Sequence, residues 1–243
     1  MLALGSCQTC RMPNELRQPP NRSERLARAR LYLVCDERPD GFLEAALCGG
    51  VDIVQLRVKG AEDARLVAAA RRFAELCAAY GALLILNDRP DLVAAAGADG
   101  VHVGQDDMSV ADARSLVGPD RLVGLSTHTL EQVDAAAKLD VDYIGVGPVY
   151  ATPTKPGRPA VGLGLVSYAT TRAPVPFFAI GGVNEQNVRA VAEAGAGRVA
   201  VVRALTEAPD PSRTALALRG ALTACAGGGV GVAAGQEERV GST

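Results

Sequence analysis

The sequence predicts a single α/β domain folded as a (β/α)8 TIM barrel, on three observations. Eight short β-type apolar runs alternate with Ala-rich stretches of helical period over roughly 190 residues, a span such barrels routinely fill. The runs are nearly continuous in Val, Ile and Leu rather than alternating with polar residues, as expected of strands buried on both faces. No GxGxxG follows the first run, so nothing supports the dinucleotide crevice of an open doubly wound sheet built from the same units.

Taken in chain order, residues 1–22 are polar and end in Gln18-Pro19-Pro20-Asn21, which reads as a loose arm. Ser23 is placed to cap a short helix through Arg30, because its hydroxyl can accept from first-turn N–H groups. The eight β-type runs are Leu31–Cys35, Asp52–Leu56, Ala82–Leu86, Gly100–Val103, Leu122–Leu125, Tyr143–Val146, Phe177–Ile180 and Arg198–Val202. Between the second and third, Asp63–Ala79 carries Leu66, Ala70, Phe73 and Cys77 three or four residues apart, one face of a helix. Gly81, Gly97 and Gly195 close helical stretches just before a strand, where a residue free to take positive φ is favoured. The barrel is expected over 23–225, and the Gly-rich stretch 226–243 as a disordered tail.

Composition narrows the function. With 48% hydrophobic and 21% charged residues the 243-residue chain is not mainly disordered, and a net charge of −2 offers no footprint for nucleic acid. No apolar run reaches the roughly 18 residues a membrane span needs. The six cysteines are too sparse for a disulfide scaffold, and Cys7-Gln-Thr-Cys10 lacks two further ligands for a closed zinc site. The start, Met1-Leu-Ala-Leu-Gly-Ser-Cys7, has neither a basic leader nor a sufficient apolar core for export, so a reducing cytoplasm is expected. Self-association into a homo-oligomer is left open.

In a barrel of this kind chemistry belongs at the C-terminal ends of the strands. The second strand runs into Gln55-Leu56-Arg57-Val58-Lys59, where alternation turns Gln55, Arg57 and Lys59 to one side and Leu56 and Val58 to the other. Two cations and an amide together can bind a di-anion, or simply form a solvated strand end. Asn87-Asp88-Arg89 follows the third strand and Gln105-Asp106-Asp107 the fourth, so adjacent strands bring Asp88 and Asp107 to one rim. A carboxylate pair with few histidines nearby suits Mg²⁺ shared with substrate phosphates, although either Asp can instead cap a helix. Ser126-Thr127-His128-Thr129 offers hydroxyls that can cap a helix or bind phosphate; His128 can serve as base or donor, whereas His102 reads as a packed, hydrogen-bonded residue.

The sixth strand opens into a Pro- and Gly-punctuated loop carrying Thr152, Pro153, Thr154 and Lys155, long enough to act as a lid. Ile180-Gly181-Gly182-Val183-Asn184 lets backbone N–H groups approach a phosphate closely, with Asn184 placed to cap the next helix, and Val202-Arg203 ends the eighth strand. Two anion sites emerge, one for a diphosphate (Arg57, Lys59, Lys155 and a metal) and one for a monophosphate (Gly182, Val202, Arg203). That suggests two phosphorylated small molecules joined in a transfer reaction with diphosphate leaving.

These segments in this order resemble the thiamine-phosphate synthase family over roughly residues 31–220, most strongly in Gln55–Lys59, Asn87-Asp88-Arg89, Gly100–Asp107, Gly124–Thr129, Gly145–Lys155 and Ala179–Val183. The resemblance implies condensation of 4-amino-2-methyl-5-hydroxymethylpyrimidine diphosphate with 4-methyl-5-(2-hydroxyethyl)thiazole phosphate, or its carboxylated form, by a dissociative displacement. It further implies that Gln55, Leu56, Arg57, Val58, Lys59, Asn87, Ser126 and Lys155 hold the pyrimidine diphosphate. By the same resemblance Lys155, Arg57, Lys59 and Ser126 serve catalysis, and Asp88 and Asp107 bind Mg²⁺. Thr152, Pro153, Thr154, Gly182, Val202 and Arg203 would hold the thiazole phosphate. Val58 stands where the family often has Glu, and Arg203 where many relatives have Ser. A related thiazole tautomerase would need a proton-transferring residue and no diphosphate or metal site, so the assembled acids and cations favour the synthase over it; a non-catalytic phosphometabolite-binding barrel is the other alternative, and turnover of both substrates with Mg²⁺ separates all three.

Overall fold

A computed structural model describes residues 20–152 and 159–226. Most of the expected arm, the Cys7–Cys10 pair, Pro153, Thr154, Lys155 and the tail beyond Ala226 lie outside the described residues.

Eight parallel strands close into one barrel in chain order: β1 Leu31–Cys35, β2 Ile53–Leu56, β3 Leu83–Asn87, β4 Gly100–Val103, β5 Leu122–Thr127, β6 Tyr143–Val146, β7 Phe177–Ile180 and β8 Val199–Val201. Closure is made by β1 pairing β8, with Leu31 opposite Val199. The helices are α1 Arg22–Arg28, α2 Asp40–Cys48, α3 Asp63–Ala79, α4 Val93–Ala96, α5 Val110–Val117, α6 Leu130–Ala135, α7 Gly162–Arg172, α8 Val188–Glu193, α9 Arg203–Thr206 and α10 Pro211–Ala226. In α3 the buried Leu66, Ala69, Ala70, Phe73 and Cys77 form the stripe that packs on the sheet. Positive φ at Gly81, Gly97 and Gly195 ends the preceding helical turns, as the sequence predicts.

Two starts differ from the sequence reading. Asn21, not Ser23, caps α1: its side chain accepts from Glu24 N at 2.9 Å, while Glu24 accepts from Asn21 N at 3.3 Å. Glutamate stands three residues beyond Asn21 and completes the reciprocal pair, whereas Leu26 stands three beyond Ser23. After β7 the chain makes a turn, in which Asn184 accepts from Gln186 N at 2.9 Å, before α8 begins at Val188 with Asn187 ahead of it. Asn184 therefore shapes the turn rather than the helix.

The continuous apolar strands bury both faces. Outward residues such as Leu33, Leu56, Leu84, Val101 and Val123 join the helices in one layer. Inward residues Tyr32, Val34, Ile53, Leu83, Ile85, Leu122, Tyr143, Phe178 and Ala200 fill the lumen, and Leu26 and Ala29 of the α1 segment join them from below.

At that lower end, Asp52, Asp99 and Asp142 stand immediately before β2, β4 and β6. Asp52 accepts from Arg30 N and Leu31 N at 2.8 and 3.0 Å and pairs with Arg219. Asp142 accepts from Val123 N at 2.7 Å and pairs with Arg114 at 2.6 Å. Asp99 accepts from Leu84 N at 3.0 Å and pairs with Arg22 and Arg25 at 2.8 and 2.9 Å, which fastens α1 beneath the barrel. Asp99→Ala leaves the Arg25 guanidinium half-buried without its anion, so the expected cost is about 2 kcal/mol, a fall in Tm of about 4–8 °C. Thermal unfolding at equal pH checks this, with turnover per folded molecule expected to be unchanged.

Candidate functional site

The upper ends of the strands surround a cavity of about 470 Å³. Gln55, Arg57, Lys59, Asn87, Asp88, Asp107, Ser126, Thr152, Gly182, Val202 and Arg203 all line it. Leu56 and Val58 do not: Leu56 is buried in the outer apolar layer and Val58 packs against that layer. The two-residue period that points Gln55, Arg57 and Lys59 inward turns these two side chains away, as the alternation in the sequence predicts, and leaves their backbone groups as the part that can face a ligand.

On one side of the cavity stand the acids. Asp88 follows β3 with φ of 59°, a left-handed conformation that Asn and Asp tolerate best among non-glycine residues, and its N–H donates to His102 O at 2.9 Å. The Asn87 amide donates to the Asp88 carboxylate at 2.5 Å. Burial raises the Asp88 carboxyl above its ordinary range; the Asp107 charge and a hydrogen bond with Asp107 raise it further, and Asn87 and Arg57 oppose the shift. Asp107 accepts from Gly104 N at 2.8 Å, holding its own turn, while Ser109 caps α5. Neither acid caps a helix. The pair offers oxygen donors on one side only, the arrangement a hard divalent cation uses when phosphate oxygens complete its shell. Among the described residues no third His, Cys, Asp or Glu joins a metal-binding group. Arg89 turns outward, pairing with Asp63 at 2.6 Å and Asp91 at 2.7 Å.

Next to the acids, Ser126 Oγ lies 2.9 Å from His102 Nε2, and Gln105 donates to Ser126 O at 2.6 Å. Thr127 faces the core, its hydroxyl donating to Gly145 O at 3.1 Å, and Thr129 caps α6, so Ser126 is the hydroxyl left for a ligand in this segment. His128 lines the cavity with Nδ1 against Gly147 O.

Across the barrel, the loops after β7 and β8 form the other wall. Gly182 has φ of 68°, and a Cβ there would come within 2.7 Å of Tyr150 Cβ, so a glycine is required for the loop after β6 to lie over the loop after β7. Asn187 holds this turn by donating to Gly182 O at 2.9 Å. Val202 and the exposed Arg203 begin α9 beside it.

Sequence reasoning missed the floor. Tyr32, Tyr143 and Phe178 line the bottom of the cavity with ring centroids 5.3–5.9 Å apart. The available signal was a Tyr at an inward register position in β1 and again in β6, and it does not distinguish a site wall from ordinary core.

The chain matches the family described as thiamine monophosphate synthase over residues 31–205. It is 52% identical to the thiamine-phosphate synthase of Acidothermus cellulolyticus over 208 residues, covering 83% of this chain and 98% of that one. It is 51% identical to the thiamine-phosphate synthase of Nostoc punctiforme over 193 residues, covering 79% of this chain but 55% of that longer relative. Among solved structures, the thiamine phosphate pyrophosphorylase from Pyrococcus furiosus superposes with a TM-score of 0.76 at 30% identity, covering 85% of this chain and 100% of that one.

Proposed function

The chain belongs to the thiamine monophosphate synthase family, and we propose from that premise how its cavity performs the joining reaction. The protein is a transferase that makes thiamine phosphate, moving a pyrimidinylmethyl group onto a thiazole nitrogen. In the proposed sequence the bond between the pyrimidine's methylene carbon and the diphosphate oxygen breaks, and the electron pair departs with diphosphate. The ring amino group spreads the positive charge on the methylene. The thiazole nitrogen then gives its lone pair to that carbon, and the thiazole ring becomes cationic.

No side-chain nucleophile is needed, so the protein's contribution is alignment and stabilisation of developing charge. Arg57 and Lys59, with Lys155 by the resemblance, counter the charge on the departing diphosphate. Ser126 donates to it, while Gln55 and Asn87 orient the pyrimidine end. Thr152, Gly182, Val202 and Arg203, together with Pro153 and Thr154 by the resemblance, hold the thiazole phosphate. Asp88 and Asp107 would hold Mg²⁺, which when bound neutralises diphosphate charge. The observation that carries this reading is the division of one cavity into an acid-and-cation wall after β2–β4 and a glycine-rich wall after β7–β8, with Arg57 and Arg203 meeting beside β1. Among the described residues Cys35 and Cys77 are free, buried thiols, which supports a reducing compartment such as the cytoplasm.

The direct test supplies both substrates, with Mg²⁺ or with EDTA. Equimolar thiamine phosphate and inorganic diphosphate, formed only with the metal, is the expected result; product at full rate in EDTA overturns the metal's role. Arg203→Ser removes a cation from the monophosphate wall, so KM for thiazole phosphate should rise about tenfold with kcat within about twofold. Initial rates at varied thiazole phosphate read this, and an unchanged KM makes Arg203 a bystander.

A further inference from the structure

Along the floor and wall of the cavity, five polar side chains from five different strands form an unbroken hydrogen-bonded file. Gln55 Nε2 donates to Tyr32 Oη at 2.7 Å, and Tyr32 Oη lies 2.9 Å from Tyr143 Oη. Tyr143 Oη lies 3.3 Å from His102 Nδ1, and His102 Nε2 lies 2.9 Å from Ser126 Oγ. The two phenols are fully buried, and burial holds both well above the ordinary tyrosine range, so each keeps its single proton.

One end of the file sets its direction. An amide nitrogen can only donate, so Tyr32 accepts from Gln55 and has its own proton left to give. The neighbour within reach is Tyr143, and a buried phenolic proton with no acceptor would cost about 1–3 kcal/mol. Tyr143, already accepting, gives its proton to His102 Nδ1. An imidazole that accepts at Nδ1 carries its proton at Nε2, and that proton goes to Ser126 Oγ.

We infer that this file makes Ser126 a donor toward the cavity: its oxygen accepts from His102, so its own proton is not spent on the imidazole and is turned toward the departing diphosphate, and Tyr32, Tyr143 and His102 are positioning residues for that single hydroxyl. The inference rests on the reading of the cavity as the place where diphosphate leaves. It assigns polar work to rings that otherwise only fill the lumen.

Two measurements test it on the full chain. In ¹⁵N-labelled wild-type protein without substrate, His102 (assigned against His102→Gln) is expected as the Nε2–H tautomer near neutral pH, and Tyr143→Phe is expected to shift it toward a mixture. The Nδ1–H tautomer in wild type overturns the inference. In turnover, Tyr143→Phe and Ser126→Ala should each lower kcat about tenfold with KM for the pyrimidine diphosphate within about twofold, and the double variant should lose no more than Ser126→Ala alone. Additive losses overturn it, because Tyr143 would then act by another route. Tyr32→Phe, one link further away, should show the same non-additivity with a smaller loss, and serves if Tyr143→Phe does not fold. The imidazole spectrum needs no substrate, so a failed tautomer and a failed synthase reading are told apart by wild-type turnover with both substrates.

Discussion

Asp88→Asn is expected to give a protein that melts higher than wild type in EDTA yet turns over about 10²–10³-fold more slowly with Mg²⁺ present. Both halves follow from one site. The Asp88 carboxyl is pushed up by burial and by the Asp107 charge beside it, so in the metal-free protein its ionised form opposes folding. A native carboxyl raised above its unfolded value leaves stability intact at low pH and loses it as pH rises through the native value; Asn cannot ionise and escapes that loss. Asparagine also suits the φ of 59°, where alanine would add strain, so the substitution isolates the charge. The gain should be about 1 kcal/mol after screening, a Tm higher by about 2–4 °C, and it should vanish at acidic pH. The activity loss arises because a lone Asp107 leaves the diphosphate less compensated. Thermal melts in EDTA across pH, beside a Mg²⁺ titration of turnover, check both. Wild-type turnover in the variant would remove Asp88 from the reaction.

Gly124→Ala is the substitution expected to harm the fold most among those considered. A Cβ at residue 124 would lie 2.2 Å from Tyr143 Cζ, 2.5 Å from Tyr143 Oη and 2.6 Å from His102 Nδ1. These rings cannot retreat, since Phe178 and Tyr32 stand against Tyr143 at 5.7 and 5.9 Å between centroids. Overpacking of this kind costs about 1–3 kcal/mol, and breaking the Tyr143–His102 hydrogen bond adds about 1–2 kcal/mol. A fall in Tm of about 10 °C is expected, with turnover impaired in the protein that remains folded. Gly220→Ala, in the middle of α10 with nothing within 4 Å of the added Cβ, should instead raise Tm by a few degrees through helix propensity alone. A melt showing both variants alike would remove the steric argument.

The strands could be read because burial on both faces leaves continuous apolar runs such as Leu83-Leu84-Ile85-Leu86, and polar residues begin where those runs stop. That rule placed Gln55, Arg57, Lys59, Asn87, Asp88, Asp107, Ser126, Gly182 and Arg203 around one cavity. Leu56 and Val58, which the resemblance places in the same segment, turn their side chains into the outer layer, as their alternation predicts. What the sequence could not give is contact across the lumen. Tyr32 and Tyr143 stand 111 residues apart and meet through strand closure and register, which no local pattern encodes. Caps were missed for a related reason: Asn21 and Ser23 are both good capping residues, and only the partner three positions on decides between them.

The ring of aspartates under the barrel has a practical corollary. The α1 segment is fastened there by Asp99, and Arg219 of α10 reaches Asp52 at the same end. The α1 helix and the Arg219 turn of α10 thus both belong to the pole opposite the substrate entrance. Anchoring the protein to a bead or sensor chip through a residue of that pole, such as the exposed Ser23 of α1, should present the open pole to solution, which recommends attachment there over random lysine coupling, a chemistry that would consume Lys59.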